Sequence, residues 1–160
     1  MKKFLSVLSF ALFATGGAVS AQEVFNKVLE SAQHTINEPT SSFTNAQIAR
    51  FKVDVLQYMK SKAHEKESAD VNELLDIQAY YMSEFLSLFY TEIIYSTELS
   101  VEDRKAKIFL FIQASCTCPL FDDNDKEKIN KYINGDSQLT PFCLDTDWHK
   151  AYQFVTKAME

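Results

Sequence analysis

Glycine, proline and cysteine are all scarce in this chain, with three residues of each among 160. Two of the glycines, Gly16 and Gly17, lie near the N-terminus, which leaves Gly135 as the only glycine in the rest of the sequence. Tight hairpin turns and glycine-rich phosphate-binding loops need residues that tolerate positive φ angles. We therefore do not expect a fold rich in β-hairpins, or a glycine-rich nucleotide-binding loop.

Basic residues are also in the minority, with 16 Lys and Arg against 22 Asp and Glu, a net charge of −6. Residues 1–21 contain two lysines and no acidic residue, so residues 22–160 carry 14 basic and 22 acidic residues, a net charge of −8. Nucleic acids and anionic lipids require clustered basic side chains. We therefore expect that this acidic chain does not bind nucleic acid.

The sequence lacks the patterns of common catalytic and metal sites. It contains neither H-E-x-x-H nor G-x-S-x-G. Residues 122–125, three aspartates and one asparagine, fail the EF-hand pattern, so we interpret them as helix caps, with an irregular calcium site that adds Asp145 and Asp147 as the alternative. Glu84 and Glu92 fit the water-facing edge of a helix better than a catalytic pair. We predict no catalytic residue, no metal ligand and no cofactor.

The N-terminus has the three parts of a secretory signal peptide. Lys2 and Lys3 form a basic region, residues 4–14 form an apolar region, and residues 19–21 form a small-residue cleavage site. The apolar region falls short of the ~20 residues that span a bilayer. We predict that residues 1–21 are a cleaved signal peptide, that residues 22–160 form a single domain without a membrane span, and that the protein is secreted or periplasmic.

Residues 71–95 form the longest apolar stretch of the predicted mature chain, and we expect the fold to be organised around them. Apolar side chains recur there at helical spacing on most sides of the axis. The polar strip is narrow, which is typical of a central helix. It comprises Asp76, Ser83, Glu84, Ser87 and Thr91.

The remaining apolar periodicity also predicts helices. Residues 108–112 are apolar at every position and would also suit a buried strand, but Ser100 and Asp103 resemble a capping box and favour a helix. The sequence thus predicts an all-α bundle of about six helices. Four of the expected helices span 23–37, 46–66, 71–95 and 122–134. A further helix begins at Ser100, and the last helix is capped by Asp145.

Three cysteines, Cys116, Cys118 and Cys143, are the most informative chemical feature of the sequence. Export would allow oxidation, and a bond from Cys143 to Cys116 or Cys118 would close a loop of roughly 25 residues and stabilise the fold by about 3–4 kcal/mol. We prefer Cys116 as the partner, because Pro119 restricts the backbone at Cys118. The odd number leaves one free thiol, which is either buried and inert or able to attack the disulfide.

The aromatic content of residues 71–95 predicts a second feature. A helix that is apolar on most sides needs enough neighbours to cover it, and a small domain can leave part of it open. We predict a candidate groove that takes an apolar small molecule or a partner helix. Its predicted residues are Tyr80, Ser83, Glu84, Ser87 and Thr91.

Two functions remain open from the sequence. The leading hypothesis is an exported, non-enzymatic helical protein that binds a protein or an apolar ligand. The alternative is a thiol-disulfide redox or exchange protein that uses Cys116, Cys118 and Cys143. The reactivity of the thiols discriminates between the two.

Overall fold

The computed structural model describes residues 22–65, 70–134 and 139–160. The predicted signal peptide, residues 1–21, lies outside the described residues. Within these three ranges the chain is all-helical, with six α-helices, one π-helical turn and no strand, as the sequence predicted. The α-helices are α1 (Glu23–Asn37), α2 (Phe43–Glu65), α3 (Val71–Phe89), α4 (Val101–Thr117), α5 (Lys126–Ile129) and α6 (Trp148–Met159), and the π-helical turn is Tyr90–Ile94.

The first two helices pack against each other and against α3. α1 has the predicted bounds, and Asp76 of α3 accepts a hydrogen bond from the backbone N–H of Phe25 at 2.8 Å, which satisfies a free donor in its first turn. α2 begins three residues before the predicted Ala46. The hydroxyl of Ser42 accepts a hydrogen bond from the N–H of Asn45 at 3.1 Å and so caps the start of the helix.

α3 is the central helix, as predicted. It contacts α1, α2 and α6, and it buries Leu75, Ala79, Met82, Phe85, Leu86 and Phe89. Phe85 and Phe89 both have 0% exposure, and one hydrophobic core that includes them draws buried residues from every helix. Burying side chains of this size supplies about 1.5–3 kcal/mol each, so α3 contributes a large share of the apolar stabilisation.

The end of the central helix differs from the prediction, because the last residues of the predicted span form a π-helical turn. Arg104 of α4 donates hydrogen bonds from its guanidinium to the carbonyls of Ile93, Ile94 and Ser96. These carbonyls lack helical partners at the end of the turn, and a charged donor satisfies them at low cost. The apolar periodicity does not record this change of hydrogen-bond pattern.

α4 begins where the capping box predicted. Ser100 accepts a hydrogen bond from the N–H of Asp103 at 3.0 Å, and its hydroxyl donates to the Asp103 carboxylate at 2.7 Å. The helix contacts α6. Phe111 has 0% exposure, whereas Phe109 is 67% exposed, so the run of apolar residues 108–112 is only partly buried.

The loop between α4 and α5 is held by Asp145. This buried carboxylate accepts hydrogen bonds from the backbone N–H groups of Leu120, Phe121 and Asp123, at 2.9–3.2 Å. The predicted role of Asp145 as the cap of the last helix is therefore wrong. α5 is also shorter than predicted, because it begins after Asp125, which caps it, and ends at Ile129.

Residues 140–147 are not helical, yet all of them except Pro141 are buried. Their backbone groups are paired with neighbouring elements: the N–H of Leu144 donates to Ile129 O at 3.0 Å, and that of Asp147 donates to Cys118 O at 2.6 Å. The Phe142 ring packs edge-on against three helical phenylalanines, with centroids 4.9–6.1 Å apart. These are Phe51, Phe85 and Phe89.

The start of α6 is fixed by two polar side chains. Asp147 caps the helix by accepting a hydrogen bond from the N–H of Lys150 at 3.2 Å. Gln78, which is buried on α3, donates to the Asp147 carboxylate at 3.1 Å and accepts from the N–H of Trp148 at 2.7 Å. α6 is thereby held against α3 by hydrogen bonds as well as by apolar packing. Over the described ranges, no helix is long and apolar enough to cross a membrane.

Candidate functional site

The five residues of the predicted groove lie along the open side of α3 and the π-helical turn. Tyr80, Ser83 and Glu84 are partly buried, and Ser87 and Thr91 are exposed. The Ser83 hydroxyl oxygen is buried and has no hydrogen-bond partner among the described residues. The helical repeat therefore places these residues on one strip of surface, as the sequence indicated.

Two side chains of α6, His149 and Tyr152, lie beside the N-terminal end of this strip. The ring of Tyr81 stacks on His149, with centroids 4.2 Å apart and an interplanar angle of 20°. The same ring contacts Tyr80 at 5.1 Å and Tyr152 at 5.6 Å. All four of these aromatic residues are partly exposed. We call Tyr80, Tyr81, Glu84, His149 and Tyr152 the tyrosine face.

Glu84 supplies the negative charge of the tyrosine face. Burial raises the pKa of Tyr80 above its ordinary value, and the Glu84 carboxylate raises it further. The same two causes, in the same order, raise the pKa of Tyr152. Both tyrosines are therefore neutral phenols at physiological pH, and Glu84 lies near both of them.

The most prominent cavities lie elsewhere on the surface. One is lined by residues around α5, including Lys128 and Asn130, and the other by Lys62 and residues 121–124. Neither includes a residue of the tyrosine face or of the predicted groove, and the tyrosines of that face are partly exposed. Over the described residues, no three His, Cys, Asp or Glu side chains are grouped so as to hold a metal ion.

The cysteines form no disulfide in the structure, which corrects the predicted bond from Cys143 to Cys116 or Cys118. Cys116 is exposed, Cys118 is partly buried and Cys143 is buried. The Cys143 thiol donates a hydrogen bond to the Asn130 side-chain carbonyl at 3.3 Å. Buried hydrogen bonds of the Cys143 and Leu144 backbone, rather than a disulfide, hold this residue in place.

Two of the thiols nevertheless affect each other. The backbone N–H of Cys143 donates to the Ser115 hydroxyl at 2.9 Å, which holds Cys143 beside the residue that precedes Cys116. The neighbouring Cys143 thiol lowers the pKa of Cys116 to about 7. The Cys116 thiol and burial in turn raise the pKa of Cys143. Of these two thiols, Cys116 is therefore the more acidic and the more accessible.

The sequence did not identify the α6 half of the tyrosine face. Neither Tyr152 nor His149 was among the predicted groove residues. Both lie on the same side of α6, three residues apart, and only the packing of α6 on α3 places them beside Tyr81. The one signal in the sequence was the aromatic pair Tyr80 and Tyr81, whose side chains point about 100° apart around the helix axis.

Comparisons with known proteins give no further assignment, because no family model, no curated protein and no solved structure matches the chain.

Proposed function

We propose that the protein is an exported helical interaction module of 139 residues, 22–160, which binds a protein partner through the tyrosine face. One observation carries this proposal: Tyr81 stacks on His149 and touches Tyr80 and Tyr152, and all four remain partly exposed. Tyrosine provides a large, rigid contact area with a polar end, and it is enriched in protein interfaces.

The shape of the surface favours a protein over a small apolar ligand. Small-molecule sites are concave and bury most of the ligand. The most prominent cavities lie away from the tyrosine face. Export rests on the three-part pattern of residues 1–21 and would place the partner in the periplasm or outside the cell.

Site-specific photocrosslinking tests the binding proposal. p-Benzoylphenylalanine is introduced at Ser87, which is exposed on α3 one turn from Glu84, and separately at Glu30, which is exposed on α1. In cells that produce the protein, we expect a discrete adduct from position 87 and none from position 30. Adducts of the same size and yield from both positions, or from neither, would contradict the proposal.

A thiol-disulfide exchange protein remains the second candidate, and the lowered pKa of Cys116 is the observation that favours it. In this reading the Cys116 thiolate attacks a substrate disulfide, forms a mixed disulfide and releases one substrate thiol. A second thiol of the chain then attacks the mixed disulfide and releases the other. This function requires Cys116, whereas binding through the tyrosine face does not.

A further inference from the structure

Lysines of the protein itself cover several of its aromatic rings. The Lys60 ammonium lies 5.8 Å from the centroid of Phe25, that of Lys128 lies 5.4 Å from Tyr58, and that of Lys131 lies 5.1 Å from Tyr132. These distances suit cation–π attraction. Across the described part of the chain, no such contact involves Tyr80, Tyr81 or Tyr152.

Two of these contacts also include a carboxylate. Lys131 lies 2.6 Å from the Asp54 carboxylate, which accepts a hydrogen bond from the Tyr132 hydroxyl, also at 2.6 Å. The Tyr58 hydroxyl likewise donates to Asp123 at 3.0 Å while Lys128 lies over its ring. Lys131 thus lies beside both a tyrosine ring and a carboxylate, whereas at Tyr58 the Asp123 carboxylate pairs with Lys62 at 3.2 Å.

The tyrosine face also combines tyrosine rings with a carboxylate, but no lysine is paired with it. Glu84 follows Tyr80 by four residues on α3, so the two side chains are neighbours on the helix surface, and its charge also acts on Tyr152. Within the described ranges Glu84 forms no ion pair. A half-buried carboxylate beside neutral aromatic rings attracts a positive charge and repels an anion. The net charge of the whole chain, −6, adds a long-range attraction for basic partners.

We propose that the tyrosine face binds a lysine or arginine side chain of a basic protein segment, whose cationic group lies against Tyr80 and Tyr152 and pairs with Glu84. This inference rests on the proposed function and names the chemistry of the partner. A side chain presented by another protein fits an open face, whereas a free organic cation would need a surrounding cavity. The attraction combines a charged contact with cation–π contacts.

Titration with a defined basic peptide tests this inference. Isothermal titration calorimetry measures the Kd of acetylated hexaarginine amide for the purified protein at about 50 mM salt, with hexaglutamine amide as the uncharged reference. Glu84→Gln keeps the shape of the side chain and removes its charge. Glu73→Gln removes the same charge from an exposed position on the same helix. We expect Glu84→Gln to weaken binding about fivefold or more, and Glu73→Gln less than about twofold.

Substitutions at Tyr80 separate the ring from the hydroxyl. Tyr80→Phe keeps the aromatic face and should leave the Kd nearly unchanged, whereas Tyr80→Leu should weaken binding by several-fold. Circular dichroism establishes that each variant is folded. Equal weakening by Glu84→Gln and Glu73→Gln, or binding of hexaarginine no tighter than that of hexaglutamine, would overturn the inference. A position-87 crosslink together with no hexaarginine binding would refute the cationic partner and leave the binding face in place.

Discussion

Gln78 shows how a single polar residue fixes the relation between two helices. It occupies a core position of α3 and is only 3% exposed, so an unpaired amide there would be costly. Its two hydrogen bonds go to Asp147 and to the N–H of Trp148. The helical period places Gln78 on the same side of α3 as Leu75 and Met82, but it gives no indication of the partner, because Trp148 lies 70 residues away.

The thiols provide a prediction at the same scale. Because the Cys143 thiol lowers the pKa of Cys116 to about 7, Cys143→Ala should raise the pKa of Cys116 by one unit or more, toward the ordinary thiol value of about 8.5. The rate of alkylation of Cys116 by iodoacetamide as a function of pH measures this pKa. Peptide mass mapping assigns the reaction to Cys116.

Cys118→Ala is the matched control, since Cys118 is not among the causes that lower the pKa of Cys116. It should leave the midpoint of the alkylation profile where it is in the unchanged protein. If Cys143→Ala did not move the midpoint, the two thiols would not interact as described. The thiol-exchange candidate would then lose the observation that favours it.

Among the elements, α6 depends most clearly on an ionised group. Burial raises the pKa of Asp147, but hydrogen bonds from Gln78 and Lys150 outweigh this effect, so the pKa lies below its ordinary value. A carboxylate with a lowered folded pKa stabilises the fold when it is ionised. Its contribution is therefore complete above the unfolded pKa of about 4 and is lost as the pH falls through the folded value.

Asp147→Asn tests this dependence while it retains a good capping residue. The unfolding free energy, measured by urea denaturation from pH 6 to pH 2.5, should fall less steeply in Asp147→Asn than in the unchanged protein. Asp70→Asn is the control, because Asp70 precedes α3 but makes no capping hydrogen bond with its side chain. Parallel pH profiles for Asp147→Asn and the unchanged protein would show that Asp147 does not contribute in this way.

The elements also show which features a sequence pattern can predict. The apolar spacing of α1 and the capping box of α4 depend on neighbours within four residues, and both helices were predicted correctly. The π-helical turn depends on Arg104 of the next helix, and the role of Asp145 depends on the loop at 120–123. No periodic pattern in the sequence indicates either contact. Part of the candidate site was predicted for the same reason: the α3 strip follows from helical spacing, whereas the contribution of α6 requires tertiary packing.

At the scale of the whole molecule, two segments form the centre of the hydrophobic core. α3 supplies Phe85 and Phe89, and the non-helical residues 140–147 supply Phe142, whose ring contacts both. Trp148 extends this cluster at the start of α6 and contacts Phe85. The packing of α6 on α3 leaves Tyr80 and Tyr152 partly exposed at the edge of the same contact. The core and the tyrosine face are thus two sides of one helix pair.

Native-state hydrogen exchange measures this arrangement most directly. Loops usually exchange quickly, but the N–H groups of Cys143, Leu144 and Asp147 are buried and hydrogen-bonded to other elements. We predict that these amides are protected as strongly as those of Leu75–Phe89, while the exposed amide of Glu98 exchanges rapidly. Rapid exchange at Leu144 and Asp147 alongside slow exchange in α3 would contradict a core built from α3 and residues 140–147.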